Sequence, residues 1–249
     1  HQGAFVQNLS RFPNLRTAMP IQLICLDADD TLWHNMRHFI ATEDALFAML
    51  KPFAAIDATR DALNACEARN LPLYGYGVKG FTLSMIETAV ELAGDRLSSA
   101  LVADILAAGR ELLAHPVELL DGVDATLTEL AELGRLILVT KGDLLHQETK
   151  LALSGLGDRF TSIEIVSDKS ADTFRRLFAR FGVEPAQAVM AGDSLRSDVR
   201  PALEAGAYAA YIPQDGAWAH EAADAPDNEH RYRELSSLAD LPDWIRSLP

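Results

Sequence analysis

The chain has 249 residues, 49% hydrophobic and 23% charged, so it can bury the core of one large domain or of a domain with a smaller companion. Its 22 basic and 36 acidic residues give a net charge of −14, which argues against binding to nucleic acid or to an anionic membrane. No apolar run approaches the roughly 18 residues of a transmembrane helix, and the first residues lack the pattern of a signal peptide.

The N-terminal segment and the cysteines indicate a cytoplasmic protein. The chain begins with His1 rather than Met, and Met19 lies just before the first predicted strand. We interpret residues 1–19 as an extension with a processed or artificial end. Cys25 lies in an apolar run and Cys66 in a helical pattern, so neither a disulfide framework nor a zinc site is predicted.

Short apolar runs with few charges recur along the chain and predict β-strands that are covered on both faces. These runs are residues 21–26, 135–140, 163–166, 187–191 and 207–212. Amphipathic helices are predicted between or beside them, at 121–133, 171–181 and 197–205. Strand followed by helix, repeated, predicts parallel pairing with right-handed crossovers, and therefore a Rossmann-like, three-layer α/β/α core.

The alternation stops between the first two strands, where residues 33–116 contain no convincing strand. Helical patterns cover 34–50, 52–69, 81–93 and 97–114 instead. We predict an inserted all-α unit at 33–116, with residues 20–32 and 117–249 forming the α/β core.

The C-terminal part carries weaker signals. Residues 215–230 are polar and predict a solvated loop with a short helix, and residues 231–249 predict a final helix that docks Leu241, Trp244 and Ile245. Neither segment is assigned a function.

Polar side chains collect at the carboxyl ends of the predicted strands, where ligands of open α/β sheets bind. Asp27 and Asp29 follow the first strand, Thr140 ends the second, Lys169 follows the third, and Asp193 and Asp198 follow the fourth. Neighbouring carboxylates are tolerable if a divalent cation lies among them, and hard oxygen ligands without histidine or cysteine favour Mg²⁺.

These residue types suit phosphoryl transfer. A carboxylate beside Mg²⁺ can act as a nucleophile, and a second carboxyl two residues along the same strand end can act as an acid and then as a base. A hydroxyl and an ammonium can hold the non-bridging phosphoryl oxygens. Lys141 and Lys150 are rival ammonium groups, but each is less well placed than Lys169.

The segment "LDADDTL" resembles the first motif of the haloacid dehalogenase-like superfamily, hydrophobic-D-x-D-x-T-L. The later motifs match in order: a strand ending in Thr140, then Lys169, then "GDSLRSD" at 192–198. Lys141 stands where an Asn often follows the second motif, and Ser170 stands where a Pro often follows the motif lysine. The resemblance covers about residues 20 to 249.

The resemblance implies a role for each matching residue, and it identifies the helical insert with a C1-type cap that closes over the site and selects the substrate. By resemblance, Asp27 is the nucleophile, and Asp29 is the general acid and base. Thr140 and Lys169 bind the phosphoryl group. The metal is bound by Asp27, Asp193 and the main-chain carbonyl of Asp29, and by Asp198 either directly or indirectly.

The resemblance also narrows the reaction. Dehalogenases and phosphonatases share the fold, but the position of Asp29 is normally not an acid in them. Asp29 therefore points to Mg²⁺-dependent hydrolysis of a small phosphomonoester through an aspartyl-phosphate, with a phosphomutase as the alternative. A non-catalytic binding domain would normally require loss of Asp27 or of a metal carboxylate. The substrate and the oligomeric state stay open, since insert or core surfaces could each form a homodimer.

Several other residues carry weaker signals. Asp30 is interpreted as a solvated turn residue. The glycine-rich loop "LYGYGVKGF" at 73–81 suggests that Tyr76 or Lys79 contacts the substrate, the alternative being a turn whose aromatic side chains pack beneath the insert.

The remaining weak signals come from three histidines, one glutamine and one arginine. His34 and His38 have the i, i+4 spacing of a helical zinc pair, but no third such ligand is evident nearby, which favours hinge or surface residues. His146 and Gln147 could line the entrance of the site, and Arg196 could reach a substrate.

Overall fold

The computed structural model describes residues 20–216, 221–227 and 230–249, so the predicted extension at 1–19 lies outside the described residues. Within them, six parallel strands form one sheet in the order β3-β2-β1-β4-β5-β6. The strands are β1 Leu23–Leu26, β2 Arg135–Lys141, β3 Ser162–Val166, β4 Ala188–Gly192, β5 Tyr208–Tyr211 and β6 Tyr232–Glu234. The prediction of a Rossmann-like parallel sheet is confirmed.

The α-helices fall into two groups. The core helices are α5 Val123–Leu133, α6 Leu144–Ser154, α7 Ala171–Phe181, α8 Arg200–Glu204 and α9 Leu241–Arg246. The helices between β1 and β2 are α1 Met36–Leu50, α2 Ile56–Tyr74, α3 Val78–Ala93 and α4 Ser99–Leu113. We call residues 36–113 the helical insert. Each helix of the described residues is too short or too polar to traverse a lipid bilayer.

Side chains that alternate along β1 explain why its sequence is apolar throughout. Ile24 and Leu26 face one layer, where they share a buried cluster with residues of α5 and α9. Leu23 and Cys25 face the other layer, with residues of α7 and α8. Burial of one such side chain contributes about 1.5–3 kcal/mol, so these layers fix the strand in the centre of the sheet.

The helical insert has a hydrophobic core of its own. Leu50 of α1, Leu63 of α2, Met85 of α3 and Ile105 of α4 are fully buried in one cluster that is separate from the two layers of the sheet. Helix α2 begins and ends a few residues later than the predicted range 52–69, because it continues through Pro72 to Tyr74. Helix α3 begins three residues earlier than predicted and ends at the predicted Ala93.

The C-terminal prediction is wrong at its start. The sequence predicts one helix over 231–249, but Tyr232–Glu234 pairs with β5 as the edge strand β6, and α9 begins at Leu241. A three-residue edge strand with exposed polar side chains carries no periodic apolar signal. The predicted docking of Leu241, Trp244 and Ile245 is confirmed, since all three are buried against the core.

Candidate active site

The candidate site lies at the carboxyl end of β1, where the direction of the crossovers reverses between β1 and β4. Asp27 is the first residue beyond β1, and its N–H donates to the Ala191 carbonyl of β4 over 3.0 Å. Its side chain points into a cavity of about 350 Å³, although the residue is only 6% exposed. The same cavity is lined by Asp29, Thr140, Lys169, Asp193 and Asp198, so the structure brings all six predicted polar residues to one place.

Lys169 joins two of the carboxylates. Its ammonium group forms an ion pair with Asp27 Oδ1 and lies 2.6 Å from Asp198 Oδ1, and the residue is 3% exposed. Burial alone would lower the pKa of Lys169, but the adjacent charges of Asp198 and Asp27 outweigh burial and raise it. Lys169 is therefore cationic at neutral pH.

Three carboxylates compete for that single ammonium. Asp27, Asp193 and Asp198 each place an oxygen within 4.8 Å of the others. Burial raises the pKa of Asp27 to about 7 in spite of Lys169, and burial together with Asp27 and Asp198 raises the pKa of Asp193 well above its ordinary value. A divalent cation would remove this repulsion, and an all-oxygen ligand set fits Mg²⁺.

Backbone geometry holds Asp198 in this cluster. Its Oδ2 accepts a hydrogen bond of 3.0 Å from the Ser194 N–H. A Cβ atom on Gly192 would lie 2.2 Å from the same oxygen, so only glycine allows this approach. The segment "GDSLRSD" therefore needs glycine at its first position, because a side chain there would displace the Asp198 carboxylate.

Asp29 has a different environment from Asp27. Its Oδ1 accepts hydrogen bonds from Trp33 Nε1 at 2.7 Å and from Lys150 Nζ at 2.5 Å, while Oδ2 accepts one from Gln147 Nε2 at 3.1 Å. Burial alone would raise the pKa of Asp29, but the charge of Lys150 and the three hydrogen bonds lower it. Lys150 thus pairs with the predicted acid and base, a contact that the sequence did not predict.

Gln147 links Asp29 to Thr140 across the cavity. Besides Asp29, its Nε2 reaches Thr140 Oγ1 at 2.7 Å and the Lys141 carbonyl at 3.0 Å. The Thr140 hydroxyl accepts from this amide and donates to the Lys141 carbonyl over 3.4 Å, a long hydrogen bond that its hydrogen can exchange for another acceptor. Gln147 is almost fully buried, so it lines the inner part of the cavity rather than only its entrance.

The interpretation of Asp30 as a solvated residue is wrong, although the residue does lie in a turn. Its φ of 59° is left-handed, a conformation that aspartate tolerates better than most residues. Its carboxylate accepts hydrogen bonds from the N–H groups of Asn35 and Met36, at the start of α1. Asp30 is half-buried and satisfies the N-terminus of the helical insert.

The helical insert supplies the other wall of the cavity. Phe39, Glu67, Asn70, Tyr76 and Phe81 line it from α1, α2, α3 and the short loop before α3. Lys79 does not line it.

The two predicted specificity residues therefore differ in position, since Tyr76 lines the cavity and Lys79 does not. The Tyr76 ring lies 3.7 Å from Lys141 Nζ, whereas Lys79 is exposed and forms an ion pair with Asp143 at 2.9 Å. Tyr76 stays a candidate for substrate contact, and Lys79 has a position at the rim of the cavity.

An ion pair between Lys141 and Glu221 lies near the site, and the sequence analysis did not predict this pairing. Lys141 Nζ lies 2.6 Å from Glu221 Oε1 and 2.6 Å from Ser197 Oγ, and Ser194 Oγ donates to Glu221 Oε2 at 2.5 Å. Glu221 lies in the polar tract that was left without a function. No sequence pattern marks it, because a loop residue acquires such partners only when the chain is folded.

Comparison with known proteins gives consistent results. The family model described as haloacid dehalogenase-like hydrolase matches residues 21–206. N-acylneuraminate-9-phosphatase of Mus musculus is 29% identical over 143 residues, which are 55% of this chain and 55% of that protein. The corresponding human protein is 28% identical over 136 residues, or 52% and 53% of the two chains. The chain therefore spans about half the length of the curated relatives it matches.

Solved structures extend the similarity to almost the whole chain. A haloacid dehalogenase-like family hydrolase from Xanthomonas campestris has a TM-score of 0.83 and 38% identity over 93% of both chains. YfnB from Bacillus subtilis has a TM-score of 0.63 at 18% identity, covering 91% of this chain and 99% of that one, which shows a shared fold. From the family match and these similarities, we conclude that this chain belongs to the haloacid dehalogenase-like hydrolases.

Proposed function

We propose that the protein is a Mg²⁺-dependent phosphatase that hydrolyses a small phosphorylated metabolite through an aspartyl-phosphate on Asp27. The observation that carries the proposal is the buried group of Asp27, Lys169, Asp193 and Asp198 in the cavity beneath the helical insert. The phosphatase names of the curated relatives support it.

In the first step, a carboxylate oxygen of Asp27 attacks phosphorus, a bond forms between them, and the ester P–O bond breaks. Lys169 holds one oxygen of Asp27, which restricts the orientation of the nucleophile. Lys169 and the Thr140 hydroxyl then donate to the phosphoryl oxygens. Mg²⁺ held by Asp27, Asp193, Asp198 and the main-chain carbonyl of Asp29 would supply charge neutralisation for those oxygens.

Asp29 is proposed to give a proton to the leaving oxygen and to take one from the water that cleaves the aspartyl-phosphate. In the described structure both of its carboxylate oxygens accept hydrogen bonds from Trp33, Lys150 or Gln147. Asp29 must exchange at least one of these partners to reach a leaving group. Asp29 does not need to be exposed at the protein surface to reach a leaving group, because the cavity extends from Asp27 to Asp29.

The helical insert, within the proposed boundaries 33–116, would serve as the cap. The two linkers that join it to the core lie side by side, since Trp33 bridges Leu119 and the His34 N–H donates to the Glu118 carbonyl over 2.9 Å. Adjacent linkers allow the insert to rotate as one body about a short hinge. Its apolar and polar side chains in the cavity would then contact the leaving group.

The location and the partners follow as further proposals. Both cysteines are buried and free, which is compatible with a reducing cytoplasm. The proposed partner is the small phosphorylated metabolite, and formation of a homodimer stays a prediction.

The first test is phosphate release from an aryl phosphate and from a panel of metabolites that includes N-acylneuraminate 9-phosphate. Activity should require Mg²⁺, disappear in EDTA and be lost in Asp27→Asn, but persist in Asp104→Asn, which removes one exposed carboxylate of the insert. Full activity of Asp27→Asn would refute the proposed nucleophile. An isomerised product without phosphate release would identify a phosphomutase, and failure of beryllofluoride to bind would favour a non-catalytic domain.

A further inference from the structure

A histidine pair lies at the base of the helical insert, away from the carboxylate cluster. His38 is in the first turn of α1, and His115 follows the end of α4, so the pair lies where the chain enters and leaves the helical insert. The two rings are in contact and tilted, with centroids 3.4 Å apart and an interplanar angle of 30°. Glu118 completes the group, because one ligand atom from each of the three residues lies within 4.8 Å of the others.

Both histidines have a nitrogen that can accept a metal. His115 Nδ1 lies 3.0 Å from the Pro116 carbonyl, which can only accept, so this nitrogen carries the hydrogen and Nε2 has a free lone pair. His38 Nε2 is buried and has no hydrogen-bond partner among the described residues. A buried nitrogen without a hydrogen-bond partner is unfavourable, and a bound metal would satisfy its lone pair.

Two further side chains, His34 and Arg37, lie beside the histidine pair. His34 precedes α1, whereas Arg37 lies in its first turn and forms an ion pair with Glu118.

We propose that His38, His115 and Glu118 bind a divalent transition metal such as Zn²⁺ at the hinge of the insert. Two imidazole nitrogens and one carboxylate are a zinc ligand set, with a fourth position left for water. They differ from the all-carboxylate cluster of the candidate active site, which suits Mg²⁺. Binding requires both rings to turn about their Cβ–Cγ bonds so that the nitrogens converge.

The bound metal would connect the first turn of α1 to the segment after α4 and close a loop that contains nearly all of the helical insert. It would therefore restrict rotation of the insert against the core. The sequence offered only His34 as a partner for His38, because His115 lies at the far end of the insert and becomes adjacent through the fold.

The test is titration of the metal-free protein with Zn²⁺ in excess Mg²⁺, which occupies the carboxylate cluster, followed by calorimetry. Co²⁺ in place of Zn²⁺ should give the visible absorption of a site with nitrogen ligands. We expect one tight site, weakened about tenfold or more in His38→Ala and in His115→Ala. The matched control His34→Ala should keep the wild-type affinity.

The ion pair offers a variant that acts in the opposite direction. Arg37→Gln releases the Glu118 carboxylate and should tighten Zn²⁺ binding, while Glu118→Gln should weaken it. Both side chains are exposed, so these variants test the site even if a histidine variant fails to fold. Equal affinity in wild type and His115→Ala, or a Co²⁺ spectrum without nitrogen ligation, would overturn the proposal.

Discussion

Replacement of the proposed nucleophile should stabilise the metal-free protein. Asp27 has a pKa of about 7 in the folded protein against an ordinary value of 3.8. The folded state therefore binds more protons than the unfolded state between about pH 4 and pH 7. Its contribution to stability is complete below that range and is lost as the pH rises through 7.

The size of the effect follows from the same shift. A difference of about 3 pH units corresponds to about 4 kcal/mol of unfolding free energy, or roughly 10 °C in melting temperature for a chain of this length. Asp27→Asn removes the charge while keeping an acceptor for Lys169. At pH 8 in EDTA the variant should be the more stable protein by this order of magnitude, and at pH 4 the two should be nearly equal.

Urea unfolding across this pH range measures the difference directly. Asp104→Asn changes the net charge equally on an exposed surface, so it corrects for the general repulsion within an acidic chain. Added Mg²⁺ should stabilise the wild type and reduce the difference in unfolding free energy between it and Asp27→Asn. If Asp27→Asn is the less stable protein at pH 8 in EDTA, the ion pair with Lys169 outweighs burial and repulsion, and the reasoning fails.

Three further substitutions test other contacts of the site. Lys150→Met removes the cation beside Asp29, so the alkaline limb of kcat/KM should move to higher pH, and a limb that stays in place would contradict the proposed acid. Glu221→Gln leaves Lys141 without its carboxylate, and urea unfolding should show a loss of about 1–3 kcal/mol. Asp30→Ala removes the acceptor at the start of α1 and should cost about 1–2 kcal/mol by the same assay, whereas the Asn variant should retain most of the stability.

The parts of the site that could be predicted are those that local sequence determines. Asp27, Lys169 and Asp193 each follow an apolar strand, and the carboxyl ends of parallel strands meet at one edge of the sheet. Neither the strand assignment nor the location of this edge needs knowledge of distant contacts. The all-helical pattern of the insert is visible for the same reason, because periodicity is a local property.

The parts that could not be predicted depend on where a helix or loop lies in three dimensions. Gln147 and Lys150 lie on one face of α6, but the sequence alone does not reveal that this face packs toward Asp29. Glu221 belongs to a polar tract without periodicity. The strand β6 has only three residues, too few to give an alternating signal.

The contrast between the two neighbouring aspartates gives a physical reason for the proposed part of the insert in the reaction. Burial and nearby carboxylates raise the pKa of Asp27, whereas Lys150 lowers that of Asp29. An ionised Asp29 is ready to act as a base toward water, but the preceding step needs it as an acid. Lys150 also contacts Asn35, the residue before α1, at 3.3 Å, so movement of the insert would disturb the group that holds Asp29. An alkyl phosphate needs the proton more than an aryl phosphate does, and its turnover should therefore depend more strongly on that movement.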